Sequence, residues 1–176
     1  MTLQTIEGDS TFVKELLTDG KCDIAFLRSE SSSVKEFNSI PYMIDYLTAV
    51  LPATHPLAKA DNLPFEQLRG ETFLLFPEHS FINDLCIREC RNAGFEPHIA
   101  YTGNRGATLI DLVRNGAGIT LMMHHSARQE NDSSLAFIPV TPGIYSYISL
   151  NYAKEKPLSP QAESFVRYVK AHKRDF

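Results

Sequence analysis

The segment Thr72-Phe73-Leu74-Leu75-Phe76-Pro77-Glu78-His79-Ser80-Phe81-Ile82-Asn83-Asp84-Leu85-Cys86, continuing to Gly94, carries the fold in miniature. Phe73 to Phe76 is a short continuous apolar run closed by Pro77, which is how a strand buried on both faces reads. Ser80 is a good helix N-cap, because its hydroxyl accepts from a backbone N–H in the first turn. Beyond it Ile82, Leu85, Cys86, Cys90 and Ala93 recur at helical spacing, and Gly94 supplies a C-terminal stop. Strand, loop and amphipathic helix in this order make the repeating half of an α/β architecture.

The same alternation extends in both directions. Ile99 to Thr102 reads as a strand, Asn104 precedes a helix with Leu109, Leu112 and Val113 on one stripe, and Gly116 to Gly118 leads into a strand over Ile119 to Met123. Ala136 to Val140 and Tyr145 to Tyr152 follow as strands. Ser159, with Pro160 at the first helical position, starts a last helix bearing Ala162, Phe165, Val166 and Val169. Toward the N-terminus, Leu3 to Ile6 reads as a strand. Asp9 or Ser10 then caps a helix with Phe12, Val13, Leu16 and Leu17 inward, which Gly20 ends. Asp23 to Leu27 predicts a strand buried in a parallel sheet, Ser29 to Ser33 a surface loop, Ile40 to Leu51 a strand closed by Pro52, and Phe65 to Leu68 a short helix. The expectation is a parallel-type α/β fold, in which ligands bind beyond the carboxyl ends of the strands.

Composition narrows the function. At 176 residues the chain suits one large domain or two small lobes. Hydrophobic residues at 43% and charged residues at 22% argue against wholesale disorder. No stretch approaches the roughly 20 apolar residues of a membrane span, and Met1 to Gln4 lacks the basic-then-apolar pattern of an export signal. A cytoplasmic location is therefore expected, and the odd set Cys22, Cys86 and Cys90 fits a reducing compartment. A net charge of −4 disfavours DNA binding by this chain, since phosphates must be neutralised by Lys and Arg. The basic cluster Lys170, His172, Lys173 and Arg174 reads as cations favourably placed at a helix C-terminus.

Candidate chemistry concentrates in strand-end loops. Pro77-Glu78-His79-Ser80-Phe81 joins a strand to a helix N-terminus, whose unpaired N–H groups favour a carboxylate or other anion. Thr102-Gly103-Asn104-Arg105 is a second loop of this kind, and Arg28-Ser29 lies at the end of an earlier strand. Each has a plainer reading: Ser80 and Asn104 as caps, Arg28 and Ser29 as exposed loop residues. His124-His125 is not expected to chelate a metal, because neighbours on an extended strand point to opposite faces. Cys86 and Cys90, on the apolar stripe, read as small core residues. There is no G-x-S-x-G, Walker loop or H-E-x-x-H, and no recognisable acid and base pair. No catalytic residue, metal or cofactor is expected.

A series of segments resembles the effector-binding domain of LysR-type transcriptional regulators. It runs Leu3-x-x-Ile6-Glu7-Gly8, Leu16-Leu17-x-x-Gly20-x-x-Asp23-Ile24-Ala25-Phe26, and Asp45-Tyr46-Leu47-x-Ala49-Val50-Leu51-Pro52-x-x-His55-Pro56-Leu57-Ala58. Leu63 to Leu68, Ala93-Gly94-Phe95, Leu112-Val113-x-x-Gly116-x-Gly118-Ile119-Thr120-Leu121 and Ser159-Pro160 complete it.

The resemblance implies a type 2 periplasmic-binding-protein-like fold, two α/β lobes joined by two crossovers. Residues 1–46 with 148–176 would form lobe I, and 47–147 lobe II. It places a small effector, an organic acid or other anion, in the interlobe cleft, on Arg28, Ser29, Pro77, Glu78, His79, Ser80, Phe81, Thr102, Gly103, Asn104 and Arg105. Arg28, His79 and Arg105 suit a carboxylate, while Glu78 opposes a second negative charge. It also implies homodimers or tetramers using the Ser10 to Leu17 helix, and DNA contact only through an N-terminal winged helix-turn-helix domain outside this sequence. By the same likeness the sequence starts at the second strand of lobe I, without the first strand and helix. One branch of the family senses peroxide with two cysteines on the Phe76 to Gly94 segment; Cys90 matches the second, but Phe81 stands at the reactive position, so no thiol switch is expected. The alternatives are a type 2 solute-binding protein serving a transporter, marked by an export signal, and an enzyme on the same scaffold, marked by a titratable pair.

Overall fold

The computed structural model describes residues 4–128 and 132–172. The chain forms two compact units, Met1–Asp45 with Tyr145–Phe176, and Tyr46–Ile144.

In the first unit, helix α1 (Ser10–Thr18) starts at Asp9, whose carboxylate accepts from Thr11 N at 2.8 Å and Phe12 N at 3.1 Å. That satisfies N–H groups that no intrahelical carbonyl reaches. Strand β1 (Ala25–Ser29) pairs antiparallel with β8 (Tyr145–Ala153), which lies beside β2 (Phe37–Pro52). Leu17, Ala25, Leu27 and Phe37 form the core under α1. Ile40 and Leu150 pack with Val166 and Val169 of the last helix, α5 (Pro160–Ala171), which Ser159 caps.

Several expectations change here. Gln4 to Asp9 has no regular structure, and Leu3 lies outside the described residues. Apolar spacing gives a strand no stability unless a neighbour completes its hydrogen-bond ladder. The sheet of this unit is antiparallel at β1 rather than parallel. Phe26, expected to be buried, is 42% exposed and meets Tyr42 and Phe165 edge-on. Phe12 and Phe165, assigned to inward stripes, are likewise exposed. Lys170 lies in α5 and His172 ends it, while Lys173 and Arg174 fall outside the described residues.

In the second unit the end of β2 pairs antiparallel with β6 (Thr120–Met123) and β7 (Leu135–Thr141), and β3 (Leu63–Pro64) adds parallel to β7. His55 caps a 3-10 turn at Pro56–Lys59, and the short helix at Phe65–Leu68 is a second 3-10 turn. Strand β4 (Thr72–Leu75) runs parallel to β5 (His98–Thr102) and bridges parallel to Ile119. Helices α2 (Phe81–Asn92), α3 (Gly106–Arg114) and the short α4 (His124–Ala127) follow β4, β5 and β6. The β4–β6 approach requires Gly118. A Cβ there would stand 2.4 Å from the carbonyl oxygen of Thr72, which accepts from Ile119 N at 2.8 Å. Phe73, Leu75, Leu85, Cys86 and Cys90 fill one side of this core; Leu74, Leu109, Ile110 and Val113 fill the other.

Candidate functional site

Because β5, β4 and the start of β6 are mutually parallel, their carboxyl ends share one edge of the second unit, the edge where α/β proteins hold ligands. Two of the predicted loops meet there. Gly103 N donates to the Leu75 carbonyl at 3.0 Å, tying the loop after β5 to the end of β4. In the loop after β4, Ser80 Oγ donates to Pro77 O at 2.7 Å and accepts from Asn83 N at 3.3 Å. Asn83 Nδ2 donates to Phe76 O at 2.8 Å, and this residue is 1% exposed. The loop is thus braced from within. His79 sits at φ 64°, a left-handed conformation that costs a non-glycine residue of order 1 kcal/mol and turns the chain sharply ahead of the helix. Glu78 and His79 are exposed; Phe81 turns partly inward onto the core.

The loop after β5 differs from its reading in sequence. Arg105, not Asn104, is the N-cap of α3, and its side chain makes no capping hydrogen bond. A guanidinium carries only donors, so it leaves the first-turn N–H groups to water or to a bound anion. Thr102, Asn104 and Arg105 are all exposed beside that helix end. The second unit therefore presents, on the same strand edge, one helix N-terminus capped by its own Ser80 and one at Arg105 whose N-cap side chain does not cap it.

Arg28 and Ser29 belong to the first unit and have local partners. The Arg28 guanidinium donates to Ser146 Oγ at 2.6 Å and to Asp45 Oδ2 at 3.1 Å, and its backbone N–H donates to Ser10 Oγ at 3.1 Å. Asp45 and Ser146 are fully buried. Burial pushes the Arg28 pKa down and the Asp45 charge partly offsets it, so the side chain stays a cation. Ser29 Oγ donates to Ser31 O at 2.7 Å.

The histidine pair stands differently from its reading in sequence. His124 and His125 are not on a strand: β6 ends at Met123 and both open α4. The His124 ring stacks on Tyr46 at 4.3 Å and 20°, with Nδ1 3.3 Å from Thr48 Oγ1. Apolar context hid it, since nothing local in the sequence shows β2 lying beside β6. Among the described residues no cluster of His, Cys, Asp or Glu has metal-binding geometry. Cys86 and Cys90 are buried, and burial raises both thiol pKa values, Cys90 to about 12, which suppresses the reactive thiolate at neutral pH.

Known proteins share this organisation. The profile of the LysR substrate binding domain matches residues 1–174. The transcriptional dual regulator GltC of Bacillus subtilis is 26% identical over 164 residues, covering 93% of this chain and 55% of that protein. The chain spans little more than half the length of such relatives. Among solved structures, the regulatory domain of CcmR from Synechocystis PCC6803, in complex with 2-PG, superimposes with a TM-score of 0.85 at 16% identity, covering 95% of this chain and 81% of that one. The reduced form of OxyR gives 0.74 at 23% identity over 94% and 78% of the respective chains. The fold is the type 2 periplasmic-binding-protein-like one, and the chain belongs to the LysR substrate-binding domain family.

Proposed function

We propose that this chain is the ligand-sensing part of a LysR-type transcriptional regulator and takes a small organic acid on the strand-end loops of its second unit. The observation that carries the reading is the N-terminus of α3, which the Arg105 side chain does not cap, its donors beside the braced Ser80 loop. The 2-PG complex of the CcmR domain supports it, as a small ligand on the same fold. The effector shifts the population of one conformation of the domain, and a DNA-binding segment outside this chain reads that shift. Cytoplasmic location and self-association through the exposed side of α1 are part of the same proposal, and among the described residues no helix is long and apolar enough to cross a membrane.

A thermal-shift screen of small carboxylates tests it. A ligand that binds only the folded state raises the midpoint, by about 2.7 kcal/mol of stabilisation at a hundredfold excess over Kd. Ser80→Ala and Thr102→Val are each expected to weaken the best acid severalfold. Unchanged affinity in both variants would place the site elsewhere.

A further inference from the structure

We infer that the first unit carries a ligand site of its own, a basic recess beside α5 that takes a small phosphomonoester, the phosphate on Lys154, Lys156 and Arg167 and the organic body on an apolar floor. The recess has a volume of about 360 Å³, within the range of small-molecule sites, and its lining comes from the first unit alone. Three segments make it: the start of β2 through Asn38, the end of β8 with the turn that follows, and the first half of α5. The floor belongs to the core, since Tyr152, Leu158 and Val166 pack with Ile40 and Leu150. The walls are tied together. Asn38 Nδ2 donates to Ala153 O at 3.4 Å, and Lys154 Nζ donates to Lys35 O at 2.8 Å. The helix end is not the anion's donor, because Pro160 has no N–H and Ser159 Oγ already accepts from Ala162 N at 3.2 Å.

Charge sets the ligand class. The lining holds three cations, Lys154, Lys156 and Arg167, against one carboxylate, Glu163, an excess of two positive charges. A phosphomonoester brings close to two negative charges at neutral pH with three strong acceptor oxygens, whereas a carboxylate brings one. The cations have donors to give. Lys154 uses one of its three N–H groups on Lys35 O, and Arg167 uses Nη2 on Ser164 Oγ at 3.1 Å and keeps the rest of its fork. Lys156 Nζ stands 3.8 Å from Asp23 Oδ1, beyond hydrogen-bond range. Asp23 draws on Lys156 from outside the lining, and because both side chains are exposed, solvent screens that pull. The apolar floor then adds what a bare ion cannot use, burial of the ester's carbon body.

Titration of the ¹⁵N-labelled chain with phenyl phosphate tests this, with inorganic phosphate as the control for charge alone and benzoate for the same ring on a monoanion, all at one ionic strength. Phenyl phosphate is expected to move the backbone amides of Ala153, Lys154 and Arg167. It should bind roughly tenfold more tightly than either control, about the worth of one hydrogen bond to a charged group. Arg167→Gln should lower that affinity by a similar factor, and Glu163→Gln should raise it. Both side chains are exposed, so the fold tolerates the changes. Shifts confined to the Ser80 and Arg105 amides would assign phenyl phosphate to the effector loops, overturning this inference and leaving the effector reading intact. No shift at all, a control that binds as tightly as phenyl phosphate, or an affinity unmoved by either substitution also overturns it.

Discussion

Replacing Arg28 by methionine is expected to destabilise the protein by about 3 to 5 kcal/mol, because it takes the guanidinium away from the fully buried Asp45 carboxylate. At this chain length that is a fall in Tm of roughly 10 °C. The loss comes chiefly from keeping a carboxylate buried without the guanidinium, not from forfeited attraction. The double variant Arg28→Met with Asp45→Leu therefore recovers most of the stability, since an apolar pair of similar volume avoids the desolvation cost. Melting curves of the single and double variants check this. A single variant as stable as the parent would mean that Asp45 does not depend on Arg28. The position matters because Asp45 and Ser146 both lie within two residues of the points where the chain passes between its two units.

Gly118→Ala should cost about 4 kcal/mol, combining strain at a positive φ with a clash that only backbone movement relieves. The added Cβ falls 2.4 Å from the Thr72 oxygen, so β6 must move away from β4 and break the bonds Ile119 N to Thr72 O and Leu74 N to Ile119 O, both 2.8 Å. That separation shifts the strand ends that carry the Ser80 loop and His124. The variant is therefore expected to lose ligand response along with stability, whereas Gly116→Ala, with open space around its Cβ position, pays only the conformational strain of its φ of 75°. Denaturant midpoints compare the two, and an equal, small loss in both would contradict the close approach of β4 and β6.

How much of this could be read from the sequence depended on how local the determining interaction is. Helix α2 and its Ser80 cap were legible, because a hydroxyl ahead of an apolar stripe at 3.6 spacing is a local signal. Asn104 was misassigned as the cap of α3 because propensity favours Asn at that position. Gly103 is drawn onto β4 by its bond to Leu75, and the chain turns helical only after Arg105. The apolar run at β1 suggested a doubly buried parallel strand, yet the partner of a strand is a tertiary fact, and β8 lies more than a hundred residues away in sequence. The same distance hid the Arg28 to Ser146 contact. His124 was judged on an assumed strand geometry, and its place beside Tyr46 depended on the β2–β6 register. Family likeness carried the fold where local pattern did not, but it left the individual partners of Arg28 and His124 unread.

The central claim is that the N-terminus of α3 receives the effector's carboxylate, and an internal competitor tests it most directly. Arg105→Asp places a capping carboxylate where the arginine side chain makes no cap, with Arg105→Gln as the control for the lost positive charge. Calorimetric titration with the best acid from the screen is predicted to show affinity falling at least tenfold in Arg105→Asp relative to Arg105→Gln, while folding stability rises by the worth of one cap, about 1 kcal/mol. Equal affinity in the two variants, with the cap formed and the helix stabilised, would contradict the account.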